Sequence, residues 1–126
     1  MLLADARRGN ARFIVLKSDL GHYCAYVGVP EGHALAGLPY QDLFDSDTGE
    51  YAGNPHMSLP VHGGLTFAGP GGDGGRPPNW YWYGWDYAHS FDSDRAWTAE
   101  EVTDDSREGV AAFQNLVLIV EAGTNA

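Results

Sequence analysis

Phe13-Ile14-Val15-Leu16 is a short apolar run, and Gly21 separates it from His22-Tyr23-Cys24-Ala25-Tyr26-Val27-Gly28-Val29, which is rich in aromatic and β-branched residues. Pro30 and Gly32 close the second run. Such stretches, bounded by breakers, read as strands. Together they predict an antiparallel hairpin with Ser18-Asp19-Leu20-Gly21 as its turn. Positions 31–60 show little periodicity and are punctuated by Pro39, Gly49, Gly53 and Pro55, so they predict a long loop with one helical turn near 40–44. Strand character resumes in Val61-His62-Gly63-Gly64-Leu65-Thr66-Phe67, where alternation puts His62, Gly64 and Thr66 on one face. A breaker-rich connection over 69–78 leads to an aromatic strand over 80–87, giving a second hairpin with a long tip. Trp80, Trp82 and Gly84 are expected beneath a helix, with Tyr81, Tyr83, Trp85 and Tyr87 exposed or lining a pocket.

The last third predicts a helix. Thr98-Ala99-Glu100-Glu101 is a capping box, in which the threonine oxygen accepts from the amide three residues on and Glu101 reaches back. Val102, Ser106, Val110, Phe113, Val117 and Val120 recur near helical spacing, and Gly123 is a natural stop. Gly109 interrupts the pattern, and 116–120 also reads as a strand. The pattern as a whole predicts one α+β domain over 1–126: a small antiparallel sheet of about four strands with a C-terminal helix packed on one face.

Composition narrows the partners. The 126 residues include seventeen acidic and seven Lys+Arg, a formal charge of −10. That balance argues against duplex nucleic acid and anionic membranes as partners, and it leaves room for a small anion in a local pocket. Cys24 is the only cysteine, which excludes an intramolecular disulfide or a multi-cysteine zinc site. The first eight residues lack the apolar stretch of a secretion signal and no run reaches membrane-span length, so a cytoplasmic protein is expected.

Three groups of residues could carry chemistry. His62, followed by Gly63-Gly64 and then Thr66, suits a general base, a hydrogen-bond donor or a metal ligand, because glycine lets a ligand approach closely. Equally, the glycines make room for tryptophans and His62 caps a strand end. Asp86, His89 and Asp92 recur every third residue, a set that suits a divalent metal or a histidine whose tautomer an acid fixes. The plain alternative is a capped surface turn. No cofactor is required by either pattern, and a divalent metal is left open. The aromatic stripe 80–87 offers rings for stacking on a ligand, or packs under a cover such as the 31–60 segment or another subunit, which leaves a homo-oligomer open. The glycines of 69–75 lack the lysine and the strand–loop–helix setting of a phosphate loop, and Arg76 either pairs with an anion or stands in solvent. Cys24 reads as a buried structural thiol.

His22-Tyr23-Cys24-Ala25-Tyr26-Val27-Gly28-Val29-Pro30, then Gly32-His33, then Val61-His62-Gly63-Gly64-Leu65-Thr66-Phe67, then Trp82-Tyr83-Gly84-Trp85-Asp86-Tyr87-Ala88-His89 resemble, in that order, a family of small uncharacterised proteins found widely in bacteriophage genomes. Relatives in that family often carry cysteine at the position of Tyr87, and the resemblance thus implies that Tyr87 is not catalytic. The resemblance implies a phage accessory protein acting in the host cell cytoplasm. One group of such proteins binds or cleaves nucleotide-derived immune signals.

Three functions are therefore expected to compete. A small phosphodiesterase would use His62 and His89 as acid and base, with Thr66 steadying the phosphate and Asp86 as a further catalytic residue. Tyr83 or Trp85 would stack on the base, with His22, Tyr26 and His33 as further ligand contacts. Asp86, His89 and Asp92 would serve a metal-assisted version. The scarcity of Lys and Arg counts against it. A binding protein would sequester the same small nucleotide-like molecule without turnover. An acidic interaction module would use the charge and leave the histidine blocks unexplained.

Overall fold

The computed structural model describes residues 1–37, 50–51, 54–58, 61–87 and 97–124. Its strands are β1 (Leu2–Arg8), β2 (Ala11–Lys17), β3 (Tyr23–Pro30), β4 (Glu50–Tyr51), β5 (Asn54–Ser58), β6 (Phe67–Pro70) and β7 (Trp80–Asp86), followed by helices α1 (Ala99–Asp105) and α2 (Arg107–Thr124). Five strands form one antiparallel sheet in the order β1-β2-β3-β7-β6, and β4 pairs with β5 in a separate ribbon. The α+β class with a C-terminal helical layer on one face is what the sequence predicted, with five strands in the main sheet instead of four and two helices instead of one. No helix among the described residues is long and apolar enough to cross a membrane.

The β2–β3 hairpin turns where expected: Gly21 N–H donates to Ser18 O at 2.9 Å, and Gly21 takes a φ of +86° that favours glycine. β1 is the added strand. It pairs with β2 from Leu16 back to Ala11, and nearly all its side chains are exposed. An edge strand open on both faces carries no alternation for a pattern to reveal.

The second hairpin differs from expectation. Residues 61–66 form a turn, not a strand, and β6 begins only at Phe67. Gly63 and Gly64 adopt φ of +73° and +80°, and Gly64 N–H donates to Val61 O at 3.1 Å. Two left-handed residues end the alternation, so His62, Gly64 and Thr66 do not share a strand face.

The faces of β7 are also the reverse of the expected ones. Tyr83, Trp85 and Tyr87 join Phe13, Val15, Ala25, Val27, Val29, Val102, Phe113, Leu116 and Val117 in the core beneath the helices. Opposite them on β3 stand Ala25 and Val27, whose modest volumes leave room for large rings under a helix. The polar tips are satisfied there: Tyr83 Oη donates to Leu35 O at 2.5 Å, and Trp85 Nε1 donates to Tyr87 Oη at 3.3 Å.

Trp80 and Trp82 lie on the other face with Ile14 and Leu16, forming a second apolar cluster flanked by Tyr26 and Phe67. Its cover is the β6–β7 connection. Pro77 O accepts from Trp82 Nε1 at 3.1 Å, and a Cβ at Gly71 would lie 1.8 Å from the same oxygen, so only glycine fits. The 31–60 segment, most of which lies outside the described residues, is not needed to explain this burial.

α1 starts at the predicted capping box, with Glu101 N–H donating to Thr98 Oγ1 and Thr98 N–H to Glu101 Oε1, each at 3.1 Å. Ser106, fully buried, joins the two helices and donates to Val102 O at 2.7 Å. Residues 116–120 continue α2 and are not a strand.

Candidate functional site

On the face of the sheet away from the helices, Cys24 and Tyr26 of β3 stand beside Asp86 and Gly84 of β7. Phe67 pairs across β7 with Gly84 from the other side. The missing side chain at Gly84 lets the rings of Tyr26 and Phe67 close over it, edge to face, with centres 5.6 Å apart. Cys24, Tyr26, Thr66, Phe67, Trp85 and Asp86 line an open pocket of about 300 Å³. At its polar end Thr66 Oγ1 approaches Asp86 Oδ2 at 3.5 Å, a long contact.

Arg76 stands against two of the rings that line the pocket. Its guanidinium carbon lies 4.4 Å from the Phe67 ring centre and 5.6 Å from that of Tyr26, close enough for cation–π attraction. Its Nε faces Pro70 O at 3.5 Å, and a Cβ at Gly74 would come within 2.8 Å of its Nη1. Among the described residues no carboxylate pairs with it. Burial, reinforced by Asp86, holds the Cys24 thiol above its ordinary range against the opposing pull of Tyr26 and Arg76. The thiol is therefore a poor nucleophile at neutral pH. Burial also raises the Tyr26 phenol, which stays a neutral donor.

His62 lies on the helix-covered side. It stacks on Tyr87 with centres 4.5 Å apart and 13° between planes, and meets Trp97 edge-on at 5.2 Å. Its Nδ1 is 3.9 Å from Asp105 Oδ2. The Tyr87 hydroxyl donates to that oxygen at 2.8 Å and also contacts Ser106 Oγ at 3.2 Å. Burial, with Asp105 adding to it and Ser106 and Trp85 opposing it, pushes the Tyr87 phenol up to about 12. This cluster ties the end of β7 and the 61–64 turn to the helices.

The sequence-predicted site residues are thus divided. Thr66, Asp86 and Tyr26 meet in the pocket, whereas His62 stands with Tyr87 on the opposite side of the sheet. Tyr83 has 0% and Trp85 1% of its surface exposed and both rings pack on the helix side, so neither presents a ring to a ligand. His22 is exposed in the β2–β3 turn. His33 is packed against α2: its Nδ1 accepts from Leu35 N–H at 3.1 Å, and its Nε2 is 3.5 Å from Glu121 Oε2, which also takes the Asn10 amide at 2.7 Å. His89 and Asp92 lie outside the described residues, and with them the expected Asp86–His89–Asp92 metal set. No group of three or more His, Cys, Asp or Glu able to hold a metal occurs among the described residues.

Phe67 and Cys24 complete the pocket and Arg76 lies against its rings, and none of the three was among the expected ligand contacts. Arg76 alone carried a signal, as the sole cation of the glycine-rich connection. Compared with family models, curated proteins and solved structures, the chain matches none.

Proposed function

We propose that the protein binds a small nucleotide-like ligand in the pocket of Cys24, Tyr26, Thr66, Phe67 and Asp86, and that it sequesters this ligand without turnover. The observation that carries the reading is Arg76, a partly buried guanidinium seated on two of the aromatic rings that line the pocket, with no carboxylate partner among the described residues. A chain with a charge of −10 offers many acids, and a guanidinium kept apart from them is ready for an external anion. The pocket supplies the remaining contacts in order. Tyr26 and Phe67 offer ring faces and edges to a base. Asp86 and Thr66 offer oxygen acceptors to a base edge that carries N–H donors, and guanine presents two such donors side by side.

Binding is favoured over hydrolysis because His62 and the Thr66–Asp86 pair face opposite sides of the sheet, and Cys24 is held as the thiol. Titration calorimetry with guanosine monophosphate tests the reading. Saturable one-to-one binding is expected, weakened at least tenfold by Arg76→Gln, with the nucleotide recovered intact after heating the complex. Nucleotide converted to product would replace sequestration with catalysis, and equal binding by the variant would remove Arg76 from the site.

A further inference from the structure

β1 is one edge of the main sheet, and no described strand lies beyond it. Which of its backbone groups face outward follows from the ladder. Lys17 exchanges both backbone bonds with Met1, each at 3.0 Å. In an antiparallel pair such exchanges recur at every second residue. Counting back along β2 gives Val15, Phe13 and Ala11, whose partners are Ala4, Ala6 and Arg8. The intervening Asp5 and Arg7 therefore point their N–H and C=O groups away from β2, to the outside of the sheet. A register shift at Leu3 and the Gly9-Asn10 turn bound this regular stretch.

The side chains leave that edge bare. Ala4 and Ala6 are small. The Arg7 guanidinium carbon lies 4.7 Å from the ring centre of Trp80, a residue of β7. Both Asp5 oxygens accept from Arg12 of β2, and Arg8 lines a cavity with Gln114, Asn115 and Glu121 of α2. All three charged groups of β1 are thus drawn back toward the body of the molecule. Open backbone groups at a sheet edge are a template for another strand, because its donors and acceptors alternate in the same way. The opposite edge is closed to this: β6 has four residues and ends in Pro70, which has no N–H to give. One open edge per sheet allows a closed pair and no longer chain of copies.

We propose that two copies of the chain join β1 to β1, antiparallel, about a two-fold axis at Ala6, so that their five-stranded sheets become one. Charge selects the register. Outward-facing residues must meet outward-facing residues, which leaves three alignments of the central stretch. Asp5 opposite Asp5 of the partner subunit, or Arg7 opposite Arg7 of the partner subunit, sets like charges face to face. The third alignment sets Asp5 opposite the partner's Arg7, and Arg7 opposite the partner's Asp5, which favours pairing. Asp5 is the only acid among the first eighteen residues, so these are the opposite-charge pairs this edge can make with itself. Ala6 then meets Ala6 of the partner subunit, and Ala4 meets the partner's Arg8. The faces of the sheet are preserved across the axis: both helical layers lie on one side and both Cys24–Asp86 pockets on the other. The pairing does not depend on what the pocket binds.

So short a ladder is a small interface, and sedimentation velocity from low to high micromolar protein tests it. The wild type should pass from monomer to dimer as concentration rises, with no larger species. Arg7→Pro removes an outward N–H and no bond to β2, so it should stay monomeric with an unchanged circular dichroism spectrum. Asp5→Arg and Arg7→Asp should each weaken the dimer by about tenfold, two pairs turning from attraction to repulsion. Mixing these two variants should restore dimer, because each supplies the charge the other lacks. Under mild oxidation Ala6→Cys should form a disulfide-linked dimer, whereas Ala4→Cys and the wild type, with Cys24 alone, should not. A wild type monomeric at every concentration, assembly beyond the dimer, or a dimer that survives Arg7→Pro would overturn the proposal. Charge variants that pair as well as the wild type, a mixture that fails to recover, or cross-linking through Ala4→Cys in place of Ala6→Cys would overturn it as well.

Discussion

Adding a single methyl group at Gly84 should destabilise the protein and open the pocket at once. An ideal Cβ there would sit 2.5 Å from Cδ1 and Cε1 of Tyr26 and 3.4 Å from Ala25 O. Ordinary contact needs about 1 Å more, so the Tyr26 ring has to move. It is hemmed in by Phe67 at 5.6 Å and by the Arg76 guanidinium. Overpacking of this kind costs about 1–3 kcal/mol, and the lower backbone freedom of alanine returns about 0.5–1 kcal/mol. The net expectation for Gly84→Ala is a loss of about 1–2 kcal/mol, or a Tm lower by roughly 3–10 °C for a domain of this size. Thermal unfolding followed by circular dichroism measures it. The decisive comparison is the same substitution in a Tyr26→Ala background, where the methyl has room and its cost should fall to near zero, a coupling of about 1–2 kcal/mol. An equal cost in both backgrounds, or no cost in either, would refute the packing of Tyr26 across Gly84.

Tyr87→Phe should cost about 1.5–3 kcal/mol in urea unfolding, because it removes a hydroxyl that donates to Asp105 and accepts from Trp85. The same phenol is raised from 10 to about 12, so its contribution is complete below pH 10 and lost as pH climbs through about 12. Unfolding measured from pH 9 to 12 should therefore show a steeper alkaline decline in the wild type than in Tyr87→Phe, and parallel declines would contradict the buried network. Cys24 should react with iodoacetamide at pH 8 more slowly than an unhindered cysteine, and Asp86→Asn should speed it by relieving the raised thiol. An unchanged rate would separate Asp86 from the pocket thiol.

What was legible in the sequence was local. The Thr98–Glu101 box and the apolar positions of α2 each act within one or two turns, and the β2–β3 hairpin is bounded by its own breakers. Decisions made between distant segments were not legible. Which side of β7 meets the helices depends on Ala25 and Val27 against Gly28 and on a connection that folds back over Trp82, none of which is visible in the stripe 80–87 alone. β1 was hidden because an exposed edge strand needs no alternation. Gly63-Gly64 suggested close approach of a ligand, whereas their left-handed backbone turns His62 onto Tyr87. The pocket was half visible: Tyr26, Thr66 and Asp86 stood out as chemistry, but Arg76 gains its role only from the rings beneath it.

The central claim is that the ligand occupies the open face of the sheet and not the His62 side. Titrating isotope-labelled protein with guanosine monophosphate and mapping chemical-shift changes tests that claim most directly. The account predicts saturable shifts centred on Tyr26, Thr66, Phe67 and Arg76. Shifts centred on His62, Tyr87 and Trp97, or no saturable shifts at all, would contradict it.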